Sequence, residues 1–280
     1  MAEYPRAPEG WTVASRRSSG PFATEVVFAH PDGRTLRWSS RRHRKHTSRL
    51  SRTRPGRERL LWSPHRASWW IAVLFIVGSA CFLLGPLPFF LEAVGAQADA
   101  RVFFVGSVFF TSAATLQWLE TINADPGPAA TARGPLRLVA WEPRRIDWWS
   151  SGVQLAGTVF FNATTWRALS TAVDAPSYDQ VVWRPDAYGS ICFLVSGYLA
   201  HVEVSGGWLR RAPRSLEGAL VAVNLFGCVA FAVSAVAAYV LPSTGDVLAV
   251  NVANISTSVG ALAFLVGAVL LLPEGSSSQP

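Results

Sequence analysis

The sequence predicts an all-α integral membrane protein: six transmembrane helices as three hairpins, with a short cytoplasmic N-terminal region containing one β-hairpin. Three observations predict it. Half of the 280 residues are hydrophobic and only 15% are charged, against about a quarter in soluble domains. After Trp69 the apolar residues form blocks near the ~20 residues that cross ~30 Å of hydrocarbon. Basic residues between those blocks alternate: 15 precede the first, then the loops carry one, four, two, three and none.

Residues 1–40 are polar. Thr24 to Ala29 and Arg34 to Trp38 are strand-like, and His30-Pro31-Asp32-Gly33 between them has turn chemistry. A lone hairpin is marginal in water, so this one is expected to lean on the membrane domain or on a partner. Residues 41–68 form a basic juxtamembrane segment. Between Arg41 and Arg66 it holds ten Lys or Arg and one acidic residue, Glu58. The expected partners are membrane lipids, with anionic headgroups at this segment held by about 1 kcal/mol per basic residue. No recognition fold or aromatic platform accompanies the run, so nucleic acid is not an expected partner. A homo-oligomer stays open.

The membrane domain is 69–272, with spans at 69–89, 102–122, 148–169, 186–204, 216–241 and 247–272, and a cytoplasmic tail at 273–280. The third and fourth spans are the most polar. The alternation puts 22 basic residues on one side and three on the other, which makes both termini cytoplasmic. Asp125-Pro126-Gly127-Pro128 separates the first hairpin from the second. No secretory signal follows Met1. Cys81, Cys192 and Cys228 lie inside apolar blocks, which argues against disulfides or a Cys-based zinc site. Arg outnumbers Lys by 24 to 1, a hint of a high-GC genome.

One stretch occurs twice. Trp62 to Trp70 reads W-S-P-H-R-A-S-W-W, and Trp141 to Trp149 reads W-E-P-R-R-I-D-W-W, 79 residues later. All six spans then contain Gly, a small residue, two residues and Phe: Gly78-Phe82, Gly106-Phe110, Gly157-Phe161, Gly189-Phe193, Gly227-Phe231 and Gly260-Phe264. Residues i and i+4 share a helix face. Gly lets backbones approach closely in lipid and Phe fills a neighbour's notch, so the stripe is assigned to helix packing and to an internal repeat.

Polar residues in spans sort into two groups. Gln154, Asn162, Asn224, Asn251 and Asn254 are candidates for a polar path or for interhelical hydrogen bonds, with the bonds preferred at about 0.6–2 kcal/mol each. Glu120 and His201 are the candidate ionisable pair for a proton or ion site. The preferred reading instead puts Glu120, Asp147, Glu203 and Glu217 at helix ends among headgroups, with His201 snorkelling there. No Ser-His-Asp spacing, phosphate loop, metalloprotease motif or Cys pair occurs, so no catalytic residue, metal or cofactor is assigned.

The segment from Trp141 through F-F-N-A-T-T, and W-R-P-D-A-Y-G-S-I-C-F-L-V-S-G-Y-L-A, resemble uncharacterised multi-pass membrane proteins of actinobacterial type. The G-S-x-x-F-L-x-G hairpins also resemble the small YrhK-like membrane domain. The resemblance covers Trp69 to Val204. It implies a multi-pass protein of the bacterial inner (plasma) membrane with paired helices, and no activity. The functional expectation is a non-enzymatic binding, scaffold or envelope-regulatory role. The alternative is a channel or transporter for an ion or small solute, because duplicated bundles place sites between repeats.

Overall fold

The computed structural model describes residues 4–41, 44, 61–124, 135–171, 173, 177–241 and 243–274. Most of the basic juxtamembrane segment, the Asp125–Pro128 cluster and residues 275–280 of the tail lie outside them.

The N-terminal region is a three-stranded antiparallel sheet rather than a single hairpin. Its strands are β1 (Thr12–Ser19), β2 (Phe22–Ala29) and β3 (Thr35–Ser39), in spatial order β1-β2-β3. The expected hairpin is β2–β3, turned through Gly33 at φ 88. The extra strand reads T-V-A-S-R-R-S-S and is exposed at every residue but Ser19. It carries no hydrophobic alternation and is held by its ladder to β2. Ala23, Val26, Phe28 and Trp38 form the sheet's own core, with Tyr4, Trp11 and Leu36 against it.

Seven helices follow among the described residues: α1 (Ala67–Leu84), α2 (Pro88–Val94), α3 (Ala96–Ile122), α4 (Ile146–Ala168), α5 (Arg184–Ser205), α6 (Leu216–Ala237) and α7 (Val250–Glu274). A π-helical turn, Asp179–Trp183, leads into α5. Pro86 ends α1, and Pro88 opens the short α2 at a position where a missing N–H costs nothing.

Five helices are long and apolar enough to cross a membrane: Ala67–Leu84, Ala96–Ile122, Asp179–Ser205, Leu216–Ala237 and Val250–Pro273. Their outward faces carry exposed Val77, Val105, Val108, Ile191, Val195, Phe226, Val233, Leu262 and Val269. Such an apolar belt suits lipid. α4 is of similar length but is not among the five; Asp147, Gln154, Asn162 and Arg167 make it more polar.

The six long helices close a ring. Each packs on the next, and α1 packs on α7. Each buries one narrow stripe, as in α1, where Ser68, Ile71, Ala72, Phe75, Gly78, Ser79 and Phe82 turn inward. Within α1/α3, α4/α5 and α6/α7 the stripe glycines face one another. A Cβ on Gly78 would meet Phe110 at 2.6 Å, one on Gly157 would meet Phe193 at 3.3 Å, and one on Gly227 would meet Phe264 at 2.7 Å. The same Gly-to-Phe contact therefore recurs in all three helix pairs.

Candidate functional site: an axial cavity under an ionic cap

The six stripe phenylalanines meet on the ring's axis as two stacked triangles. Phe82, Phe161 and Phe231 form one, with centroids 6.4, 6.1 and 6.0 Å apart. Phe110, Phe193 and Phe264 form the other, at 6.4, 5.9 and 5.9 Å. Between triangles, each helix pair supplies a contact of 5.6, 5.0 or 5.2 Å. These are ordinary aromatic packing distances, and the layer closes the axis in the middle of the bundle.

On the side of the N-terminal sheet, the second triangle is the floor of a cavity of about 80 Å³. That is room for a few water-sized groups. All six long helices line it. Phe75, Phe110, Phe193 and Phe264 are apolar walls; Gln117, Ser150, Gln154, Ser196 and Asn224 are polar ones. Gln117 Nε2 donates to Gln154 Oε1 at 3.0 Å. Asn224 Nδ2 lies 3.9 Å from Cys228 Sγ. Gln154 and Asn224 each sit three residues before the stripe Gly of their helix, where α1 has Phe75.

The mouth is closed by charge. Arg41 and Arg44, in the helical residues that follow β3, lie over it with Asp147 and Glu203. Arg44 Nη1 is 3.0 Å from Asp147 Oδ2, and its Nη1 and Nη2 are each 3.4 Å from Glu203. Ser40 Oγ donates to Glu203 Oε1 at 2.6 Å. From the other side Arg145 donates to Asp147 through Nε at 3.1 Å and Nη2 at 2.7 Å, and to Thr121 O at 3.0 Å. Its Nη1 also bonds Glu142. Tyr4 places its ring 5.7 Å from the Arg145 guanidinium.

Apart from half-buried Glu142, the charged groups of this cap are out of solvent: Glu120 0%, Asp147 1%, Glu203 5%, Arg145 4%, Arg44 7% and Arg41 7% exposed. Burial alone would lower the pKa of Arg44. The carboxylates of Glu203, Asp147 and Glu120 outweigh it and raise the value above the ordinary arginine range. Arg145 behaves in the same way, with Asp147 as its main counter-charge. Burial pushes the Tyr4 phenol up.

Several placements correct the sequence reading. Glu120, Asp147 and Glu203 are enclosed, not set among headgroups; Arg44 reaches Asp147 and Glu203, and Ser40 bonds Glu203. His201 does not join Glu120. It turns to the loop after α5, where Nε2 lies 2.9 Å from Arg210 O. The five amides part company. Gln154 and Asn224 line the cavity. Asn162 bonds across to α3, accepting from Ser107 Oγ at 2.6 Å and donating to Thr111. Asn251 and Asn254 are exposed on the outside of α7. The six glycines occupy the helix contacts given above.

Sequence reasoning missed Arg44, Glu203 and Arg145 as one unit. A signal existed. Glu120 and Glu203 each stand fourteen residues after the stripe Gly of α3 and α5, and Glu274 does so in α7. The Trp copies also take one shape. Trp69 and Trp70 donate to Leu61 O and Pro64 O, while Trp148 and Trp149 donate to Ala140 O and Pro143 O. The arginines that precede the two helices, Arg66 and Arg145, are both buried.

Among the described residues no group of three or more His, Cys, Asp or Glu could hold a metal ion. No family model, no curated protein and no solved structure matches the chain.

Proposed function

We propose that this chain is a six-span protein of a bacterial plasma membrane, with both termini cytoplasmic, that provides a gated path for an ion or small solute. One observation carries the reading. The axial cavity is walled by all six long helices, polar toward the N-terminal sheet and blocked by phenylalanine in mid-bundle. A bundle that only packs has no need of amides turned to its axis. Hydrophobic constrictions that exclude water are a known way to close a pore.

The sixth span in this reading is α4. Its 23 residues span about 34 Å at 1.5 Å per residue, and it stands in the ring between α3 and α5. Six spans also keep the 22 basic residues on one side. The recurring Gly–Phe contact supports descent of the three helix pairs from one hairpin, and the YrhK-like resemblance belongs to the same proposal. Anionic headgroups remain the proposed lipid partner of the basic segment.

A second reading is a binding or scaffold role for the N-terminal sheet, favoured by β1, an edge strand exposed over seven of its eight residues. Flux decides between them. The purified protein is reconstituted in liposomes beside Phe193→Ala, with K⁺ and small organic solutes as probes. The path reading expects slow flux from the wild type and about tenfold faster flux once the constriction is widened. Flux no faster than from empty liposomes, in a variant that elutes as a monodisperse species, overturns it and leaves the sheet as the working surface.

A further inference from the structure

We infer that the axial cavity is a binding site for a small organic cation of the guanidinium or substituted-ammonium class, with Arg44 seated at its mouth as an intramolecular stand-in. The inference rests on the cavity being a solute site and names the class of solute.

The origin of the charges carries the argument. Among the described residues the charged groups that line the cavity are Arg41, Arg44, Asp147 and Glu203. Both cations come from the segment after β3, and both anions come from helices of the ring. Glu120, also from the ring and fully buried, is a third carboxylate that acts on Arg44. Arg145 does not line the cavity and is held by Asp147, Glu142 and Thr121 O. The ring's own contribution to the cavity walls is therefore acidic. An anion there would face the Glu203 carboxylate and an Asp147 carboxylate that Arg145 holds from outside the cavity.

The rest of the lining fits the same class. Phe75, Phe110, Phe193 and Phe264 surround the inner end, and aromatic faces within about 6 Å attract a desolvated cation. Gln117, Gln154 and Asn224 offer amide oxygens for N–H donors. The volume of about 80 Å³ suits a headgroup of a few heavy atoms.

Arg44 fills the mouth imperfectly. Its two contacts to Glu203 are 3.4 Å, longer than the ~2.7–2.9 Å of good charge-assisted bonds. Its Nε is buried without an acceptor among the described residues. A guanidinium free of a main chain can approach both carboxylates more closely. Arg44 thus competes with a soluble cation, and the apparent affinity of the intact protein is lowered by the fraction of molecules with Arg44 seated.

The test is binding of methylguanidinium to the full-length protein in lipid nanodiscs, by calorimetry and by shift of the thermal midpoint. Wild type, Arg44→Ala and the double variant Arg44→Ala/Glu203→Gln are compared, with urea and acetate as comparators. The inference expects Arg44→Ala to bind methylguanidinium about tenfold more tightly than wild type, the double variant to lose that gain, and neither comparator to bind. Binding to Arg44→Ala no tighter than to wild type overturns it, as does equal binding of urea or acetate. Arg44→Gln keeps the side chain's bulk and serves by the same criteria if Arg44→Ala does not fold. Binding without flux through Phe193→Ala retires the path and leaves the site. Flux without this binding retires the site alone.

Discussion

At the residue scale, the bundle is built from a contact between a glycine and the phenylalanine of a paired helix. Gly227 shows its necessity. A Cβ there would lie 2.7 Å from the Phe264 ring and 3.1 Å from Gly260 O. The ring can shift only into the phenylalanine layer, and the carbonyl belongs to a helix backbone. Gly227→Ala is expected to destabilise by about 1–3 kcal/mol, the usual scale of overpacking. Gly267 is the control: a Cβ there would meet nothing within 4 Å, so Gly267→Ala should be neutral or gain up to about 1 kcal/mol from helix propensity. Thermal unfolding of the two variants in detergent measures both. The stripe was legible because its spacing repeats within single helices. The ionic cap was not. Arg44 and Glu203 are 159 residues apart, and Ser40 and Glu203 are 163. No local pattern announces a covering segment that distant, and a Glu near a helix end ordinarily reads as a headgroup neighbour.

At the scale of elements, α4 is where composition and position disagree. Its polar residues keep it out of the set of helices apolar enough to cross a membrane, yet they have partners inside the ring. Asp147 pairs with Arg145 and Arg44, Gln154 with Gln117, and Asn162 with Ser107 and Thr111. Polar groups satisfied between helices do not need water, so low hydropathy is compatible with a span. Orientation provides the test. If α4 crosses, Cys at Val139 and at Ser170, which precede and follow it, face opposite sides, with Val139 on the side of the N-terminal sheet. An impermeant thiol reagent should label Ser170→Cys but not Val139→Cys from outside intact cells. Labelling of both, or of neither, would put the two ends of α4 on one side and remove it from the spans. The sheet was half legible by the same logic. From Thr24 to Ala29, β2 alternates buried and half-buried residues, whereas β1 is polar and joins through backbone bonds that leave no trace in side-chain type.

At the scale of the whole molecule, the ring, its phenylalanine layer and its N-terminal segment act as one closure. The helices supply a cavity with acidic and aromatic walls, Arg41 and Arg44 after β3 supply the cations that line its mouth, and the stacked phenylalanines separate it from the far side. The measurement that tests this most directly is the reactivity of Asn224→Cys, with Cys81, Cys192 and Cys228 replaced by Ala and Arg44 by Ala, toward a small impermeant methanethiosulfonate. The account predicts modification from the side of the N-terminal sheet alone while Phe193 is present, and from both sides once Phe193→Ala is added. Equal rates from the two sides with Phe193 intact, or no modification from either side, would contradict it.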